Sequence, residues 1–355
     1  MNFLYIKLKI LCGGNKLKLF LKPIAIILSA LIVSGIIGGV LIYRSGVDKE
    51  NSGEDNSNIS DDTSQSVSVD NRVERPLCVL IIGKDKVSSL ADVIMLASFD
   101  KSTKKTFILQ IPRDTYADYG ASYYKINGAL RALGEEGMCR FFEDSMGIEI
   151  DGYISLELEG FRALVDSIGG VEMNIPRRLR YSDPEQGLYI DLPAGMQTLD
   201  GKQAEMLVRY RSGYARGDLD RLDMQKRFLA AFFVQLKERI TPFNVYSIVS
   251  AAFPYLKTNI SATELVSIGL NAISVQGEDI SIATISGEDA ISAISGGSFY
   301  VVCAESASEL LIKYFRAEYG SFDKNRCFLH PTLDTFKKIY QKKVENKVFS
   351  VNELK

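Results

Sequence analysis

The sequence predicts an α/β fold, a single-domain sandwich of helices around one central mixed sheet, and three observations predict it. Short β-branched apolar runs recur from residue 77 onward, helical patterns alternate with them, and the composition is that of a globular chain. Hydrophobic residues make up 46% of the 355 positions and charged residues 24%, enough to bury a sizeable core. Strands and helices that mix along the chain argue helices packed over a sheet.

The elements follow in order. LCVLIIG (77–83) is short, apolar and ends on Gly, the pattern of a buried strand. DVIMLASFD (92–100) and TFILQI (106–111) are two more, with residues 101–105 as a hairpin turn between them. Asn127–Leu133 and Met138–Met146 suggest two short helices. Asp151–Leu156 reads as a strand, and Leu158–Ile168 as a helix closed by Gly169 and Gly170. VEMNIP (171–176) is a further strand. Asp218–Ile240 is the longest helical candidate, with Leu222, Leu229, Phe233, Leu236 and Ile240 spaced as a core-facing stripe. Two helices at 242–252 and 261–273 and a strand–strand–helix segment at 278–316 complete the reading, while 331–355 shows no core role.

Upstream of the folding signals, PIAIILSALIVSGIIGGVLIY (23–43) is an uncharged run about as long as a hydrocarbon core is thick. Lys7, Lys9, Lys16, Lys18 and Lys22 precede it. The positive-inside rule puts that end in the cytoplasm and the rest outside, so an uncleaved anchor is expected in preference to a signal peptide. Residues 48–72 are acidic, rich in Ser and Asn and poor in large apolar side chains, the composition of a tether. The expected organisation is a cytoplasmic tail at 1–22, a membrane anchor at 23–43, a linker at 44–75, a folded domain at 76–330 with its core at 76–240 and an extension at 241–330, and a C-terminal tail at 331–355.

The charge balance excludes some chemistry. With 42 basic and 44 acidic residues the net charge is −2, so no global basic field recruits nucleic acid. His330 is the one histidine, which argues against a His-based triad or a His-rich metal site. The five cysteines form no CxxC pair and read as buried thiols, with Cys303–Cys327 the pair that could form a disulfide.

Three clusters remain. Asp85 follows a strand and Gly83, and Asp92 opens the next strand. Two carboxylates at neighbouring strand ends can share a hard divalent cation, or can be solvated turn residues. Arg113 follows a buried strand and Pro112, where loops build sites, and Lys125 can point the same way. Arg209-Tyr210-Arg211 would put two guanidiniums on one side of an extended segment. Arg221 and Gln225, four residues apart in the first turns of the long helix, share a face where the dipole favours anions. Together Arg113, Arg209, Arg211 and Arg221 can hold a pyrophosphate, or form salt bridges with neighbouring aspartates.

The order of motifs along 76–240 resembles the LytR-CpsA-Psr family. The stretches that carry the resemblance are IIGKD, ADVIMLASFDKSTKKTFILQIPRDTY, KINGAL, GYISLELEGFRALVDSIGGVEMNIP, LPAGMQTLDGKQAEMLVRYR and GDLDRLDMQKRFL. The resemblance implies an apolar groove for a polyprenyl tail and a metal, magnesium or manganese, near Asp85 and Asp92. It implies pyrophosphate contacts from Arg113, Arg209, Arg211, Arg221 and Gln225. It also implies the reaction, in which a peptidoglycan hydroxyl attacks a polyprenyl-pyrophosphate-linked glycopolymer such as teichoic acid or capsule and polyprenyl phosphate leaves. Asp85, Asp92 and Arg113 are the expected catalytic residues. Leu90, Ala117 or a neighbour, and Met224 stand where the family commonly carries arginine. Those departures keep a non-catalytic lipid- or wall-binding module as the alternative. A transcriptional attenuator would need a cytoplasmic DNA-binding domain, for which residues 1–22 leave no room.

Overall fold

The computed structural model describes residues 75–84, 89–100, 102–120, 125–184, 187–212, 214, 218–272, 275–292, 295–317, 329 and 344–354. The expected anchor and tether therefore lie outside the described residues, as do Asp85, Cys327 and His330.

The first apolar run becomes β1 (Leu77–Lys84) at the heart of a seven-stranded sheet. On one side it pairs antiparallel with β2 (Ala91–Phe99), Ile82 opposite Ile94, and β2 pairs antiparallel with β3 (Thr106–Gln110). On the other side it runs parallel to β4 (Gly152–Glu157). These strands are buried on both faces, which explains their continuous rather than alternating apolar pattern. The β2–β3 turn is closed by Asp100, whose Oδ1 accepts from the amides of Ser102 and Thr103, an Asx-type turn.

Each face of the sheet carries its own core. One face, with Leu80, Ile82, Leu96 and Leu109, meets Met138 and Phe142 of α1 (Ala129–Met146) and Leu310 and Leu311 of α7 (Ala304–Phe315). The other, with Met95, Ile108 and Ile282, meets Ala230 of α4 (Asp218–Arg239), with Leu229 and Phe233 packed beside it. A third core lies beyond α4. It joins α2 (Leu158–Ser167), α3 (Gly201–Arg209), α5 (Val245–Ala252), the pair β5 (Val171–Ile175) and β8 (Gly195–Leu199), and the hairpin β6 (Leu179–Asp183) and β7 (Leu188–Leu192).

Several expectations change. The two short helices are one run, α1, broken at Gly134 (φ 70°, ψ −179°), a conformation essentially confined to glycine. The segment 278–316 holds three strands before its helix, β10 (Ile280–Thr284), β11 (Gly287–Ile291) and β12 (Ser298–Val302). β10 joins the central sheet parallel to β3, so the core is not confined to 76–240. The opposite edge strand, β9 (Leu256–Thr258), also comes from the expected extension, and α6 (Ala262–Ala272) follows it. Residues near the C-terminus have a core role as well: β13 (Val348–Ser350) pairs with β10, and Val351 is fully buried.

The long helix is the largest correction. Leu222 and Ile240 are buried, but Leu229, Phe233 and Leu236 are half-buried. The most buried face runs through Arg221, Gln225, Phe228 and Phe232, spaced by three or four residues. The helix packs on both sides, against the sheet and against the third core, so polar site residues and apolar core residues lie on one face rather than on two.

Candidate functional site

The C-terminal ends of β1 and β3 and the start of β2 lie at one end of the sheet. Arg113 follows β3 on a loop held rigid by its own chemistry. The Thr115 amide and Oγ1 both donate to the Pro112 carbonyl, at 3.0 and 2.6 Å. β12 clamps the same loop: the Tyr300 amide donates to the Asp114 carbonyl at 2.9 Å, and the Tyr116 amide to the Tyr300 carbonyl at 2.8 Å.

On this loop Arg113 Nη1 donates to Asp92 Oδ1 at 2.6 Å, and Arg211 Nη2 lies 3.8 Å from the same oxygen. Lys125 Nζ donates to Asp114 Oδ1 at 3.1 Å and sits 5.4 Å from the centre of the Phe299 ring. Arg113 Nε is buried without a hydrogen-bond acceptor among the described residues, Asp114 Oδ2 lying 4.0 Å away. Among the described residues, three cations, Arg113, Arg211 and Lys125, thus gather around the carboxylates of Asp92 and Asp114 in a half-buried setting. That arrangement suits an anion, because among the described residues the Arg113 Nε–H has no protein acceptor.

The second group sits at the junction of α3 and α4. The Asp200–Gln203 capping box starts α3, and the helix runs to Arg209, so the Arg209-Tyr210-Arg211 segment is not extended along its whole length. Tyr210 is the extended C-cap and turns the chain, which sends the two arginines to different carboxylates. Arg211 reaches Asp92, while Arg209 Nη1 donates to Glu205 Oε1 at 2.9 Å. Gln225 Nε2 donates to the Val208 carbonyl at 3.0 Å, tying α4 to the end of α3. Arg221, one turn earlier on α4, is 2% exposed and among the largest fully buried side chains. The sequence places it with Gln225 on one face in the first turns of the helix, where anions are favoured. Both are buried, because α4 is packed from both sides.

Sequence reasoning missed Glu205, Arg162, Asp114 and Phe299. Glu205 is a buried carboxylate shared by Arg209 and Arg162 Nε. The usable signal was its position four residues before Arg209, one helical turn. Tyr214, in the connection to α4, packs edge-on to Tyr210 at 5.2 Å beneath Arg177, and burial pushes its hydroxyl up to about 12. Of the departures, Met224 is buried in the third core beside Phe228, Ala117 is fully buried and Leu90 half-buried.

Among the described residues no three carboxylate, cysteine or histidine side chains gather as a metal cage. Asp92 supplies one hard oxygen donor of the kind a divalent cation takes when phosphate and water complete its shell. A cleft of about 470 Å³ opens between β5, β8 and the C-terminal half of α4, lined by Met173, Met196, Arg227, Ala231, Val234 and Leu354 among others. None of the sequence-predicted site residues that the structure describes lines it.

The LytR_cpsA_psr family model matches residues 41–314. A relative from Bacillus subtilis (strain 168), named polyisoprenyl-teichoic acid–peptidoglycan teichoic acid transferase TagV, is 25% identical over 272 residues, 74% of this chain and 69% of that protein. The probable cell wall biosynthesis protein LcpB of Corynebacterium glutamicum is 33% identical over 198 residues, 55% of this chain and 45% of LcpB. The chain therefore spans less than half the length of that relative. Among solved structures, B. subtilis TagV aligns with TM-score 0.60 at 23% identity, covering 69% of this chain and 98% of TagV. The Lin1025 protein of Listeria innocua aligns with TM-score 0.53 at 27% identity, covering 69% of this chain and all of that chain (100%). The observed mixed α/β fold around a central sheet is the fold of these proteins.

Proposed function

The chain belongs to the LytR-CpsA-Psr family, and from that premise we propose that it is a membrane-anchored transferase joining a polyprenyl-pyrophosphate-linked glycopolymer to peptidoglycan. The relatives named as teichoic acid transferases support the substrate class. The observation that carries the reading is the Arg113 group: two guanidiniums on the single Asp92 carboxylate, with a buried Nε left for a further acceptor.

The pyrophosphate sits over Arg113, Arg211 and Lys125, with Arg209 contributing from the end of α3. Arg221 and Gln225 back this surface from within α4. A peptidoglycan hydroxyl attacks the phosphorus that bears the sugar. A new P–O bond forms, the bond to the bridging oxygen breaks, and polyprenyl phosphate leaves. Asp92 or Asp85 takes the hydroxyl proton. The guanidiniums stabilise charge developing on the phosphoryl oxygens, the larger part of catalysis in phosphoryl transfer. Asp85 and Asp92 would hold magnesium or manganese, which supplies further charge neutralisation at the phosphate when bound.

The polyprenyl tail lies along α4. Ile81, Val93 and Ile280 on the sheet and Leu229, Phe233 and Val234 on α4 are half-buried apolar side chains around the second core, and the cleft beside Ala231 and Val234 continues that surface. The anchor at 23–43 places residues 1–22 in the cytoplasm and the folded domain outside, where a lipid-linked donor and the wall both lie.

The test is turnover by the full chain in detergent or vesicles with a lipid-pyrophosphate-linked saccharide and a peptidoglycan acceptor, with release of polyprenyl phosphate measured. Release that depends on the acceptor supports the transferase. Tight donor binding without release identifies the non-catalytic binding module instead.

A further inference from the structure

Arg162 reaches the site only through another residue. It lies in the second turn of α2, and its Nε donates to Oε2 of Glu205. The other oxygen, Oε1, accepts from Arg209 Nη1 at 2.9 Å. Glu205 is a buried carboxylate, its side chain 8% exposed, while Arg162 and Arg209 are 36% and 27% exposed. Each carboxylate oxygen thus holds one guanidinium, and the trio carries one positive charge in excess.

The backbone is built to hold this arrangement. Gly201 opens α3 directly against α2: a Cβ there would stand 2.5 Å from the Arg162 carbonyl oxygen, so only glycine permits the approach. One turn beyond Arg162, Asp166 Oδ1 accepts from the Gly201 amide at 2.7 Å. α2 therefore grips α3 twice, at its N-terminal amide through Asp166 and at Glu205 through Arg162. The far end of α3 is fixed by Gln225 at the Val208 carbonyl, next to Arg209.

We propose that Arg162 is a positioning residue that neutralises Glu205, so that Arg209 is oriented by this carboxylate yet keeps its positive charge for a phosphate. This rests on the transferase reading above and extends it to a residue outside the pyrophosphate contacts. The physics is a charge balance. A guanidinium has five N–H donors, and Arg209 gives one nitrogen to Glu205. Without Arg162, both carboxylate oxygens fall to Arg209. The bidentate pair is the stronger geometry, it is neutral, and it draws Arg209 toward α3 and away from ligand.

The test is inorganic pyrophosphate binding by the full chain in detergent, alongside turnover. Arg162→Gln should weaken pyrophosphate binding about fivefold, the size expected for a partly exposed charge interaction of roughly 1 kcal/mol. Arg162→Lys should restore most of it. Arg162→Gln combined with Glu205→Gln should also recover binding, because the charge on Arg209 is released again. Turnover of that double variant should stay low in kcat with KM near the parent value, since Arg209 has lost its orienting partner. A merely structural Arg162 would make the double variant worse than the single in both binding and melting. That outcome, or unchanged binding in Arg162→Gln, overturns the proposal. Arg113→Ala separates the two readings. If it loses pyrophosphate binding while Arg162→Gln does not, only the role of Arg162 fails. If pyrophosphate fails to bind the parent chain, the site itself is wrong and Arg162 falls with it.

Discussion

Two regions of the molecule hold arginines in opposite ways. At the sheet end, Arg113 and Arg211 share Asp92, their side chains 20% and 45% exposed. At the start of α4, Arg221 is sealed in the interior with Gln225 and Phe228. Both carry the same functional group and both fall in the same motif-derived set, yet their surroundings assign them different work. A guanidinium at the rim stays partly solvated and costs the fold less to remove. A buried one is held by the protein around it, and removing it leaves that surrounding uncompensated. Burial, more than identity, decides whether a site residue is mainly functional or also structural.

The largest expected effect tests the buried side. Arg221→Ala should destabilise the chain by about 3 kcal/mol, the scale for breaking a buried charged interaction, and lower the melting temperature accordingly. If the variant melts with the parent, the contrast between the two regions collapses. Phe228→Ala, on the same face and 2% exposed, should cost a comparable amount, roughly 3–5 kcal/mol for a buried aromatic. Equal losses at Arg221 and Phe228 would sharpen the view that this face of α4 is structural.

The rim should respond in the reverse sense. Arg113→Ala should lower transfer by roughly 10²-fold, as loss of one donor to a developing oxyanion does, while lowering stability less than Arg221→Ala does. Arg211 lies 3.8 Å from Asp92 rather than 2.6 Å, so Arg211→Ala should do less, roughly fivefold to tenfold, mainly in KM and more visibly at low salt. A melting temperature that falls in Arg113→Ala as far as in Arg221→Ala would erase the distinction.

This contrast also marks what was legible in the sequence. β1, β2 and β3 were readable because Leu80, Ile82, Ile94 and Leu109 sit in continuous β-branched or apolar runs, the signature of strands buried on both faces. α2 was readable from its glycine stop. The β6–β7 hairpin was not, since LRYSD and LYIDL alternate weakly and, among the described residues, pair only with each other. α3 carried a usable sign in Asp200 and Gln203, spaced as a capping box, and reading it would have placed Arg209 on a helix end. β13 could not have been found locally: Val348–Ser350 is three residues whose partner, β10, lies more than 60 positions away. Arg113, Asp92, Lys125 and Arg211 were picked out by motif and do converge. The burial of Arg221 was hidden, because it depends on α4 being packed from two sides at once, a tertiary fact that no helical period encodes.

The smallest expected effect comes from a pair that looks strong by distance. Arg178 donates to both oxygens of Asp191, at 2.8 Å through Nε and 2.7 Å through Nη2. The geometry is bidentate and closer than Arg211 on Asp92. The Arg178 hydrogen bond holds the Asp191 carboxyl below its ordinary value. A lowered folded pKa means stability that is present above the unfolded carboxylate value of about 4 and lost as pH falls through the lowered folded value. Both side chains are more than half exposed, however, so water and salt screen what the short contacts would otherwise yield. Asp191→Asn should therefore melt with the parent chain at pH 7, and the two melting curves should also stay together when the pH is lowered to about 3. A gap that opens at neutral pH and closes in acid would show the pair to be stabilising despite its exposure. Distance would then rank these arginines better than burial does, and the assignment of Arg113 to function and Arg221 to the fold would need to be argued again from contact geometry.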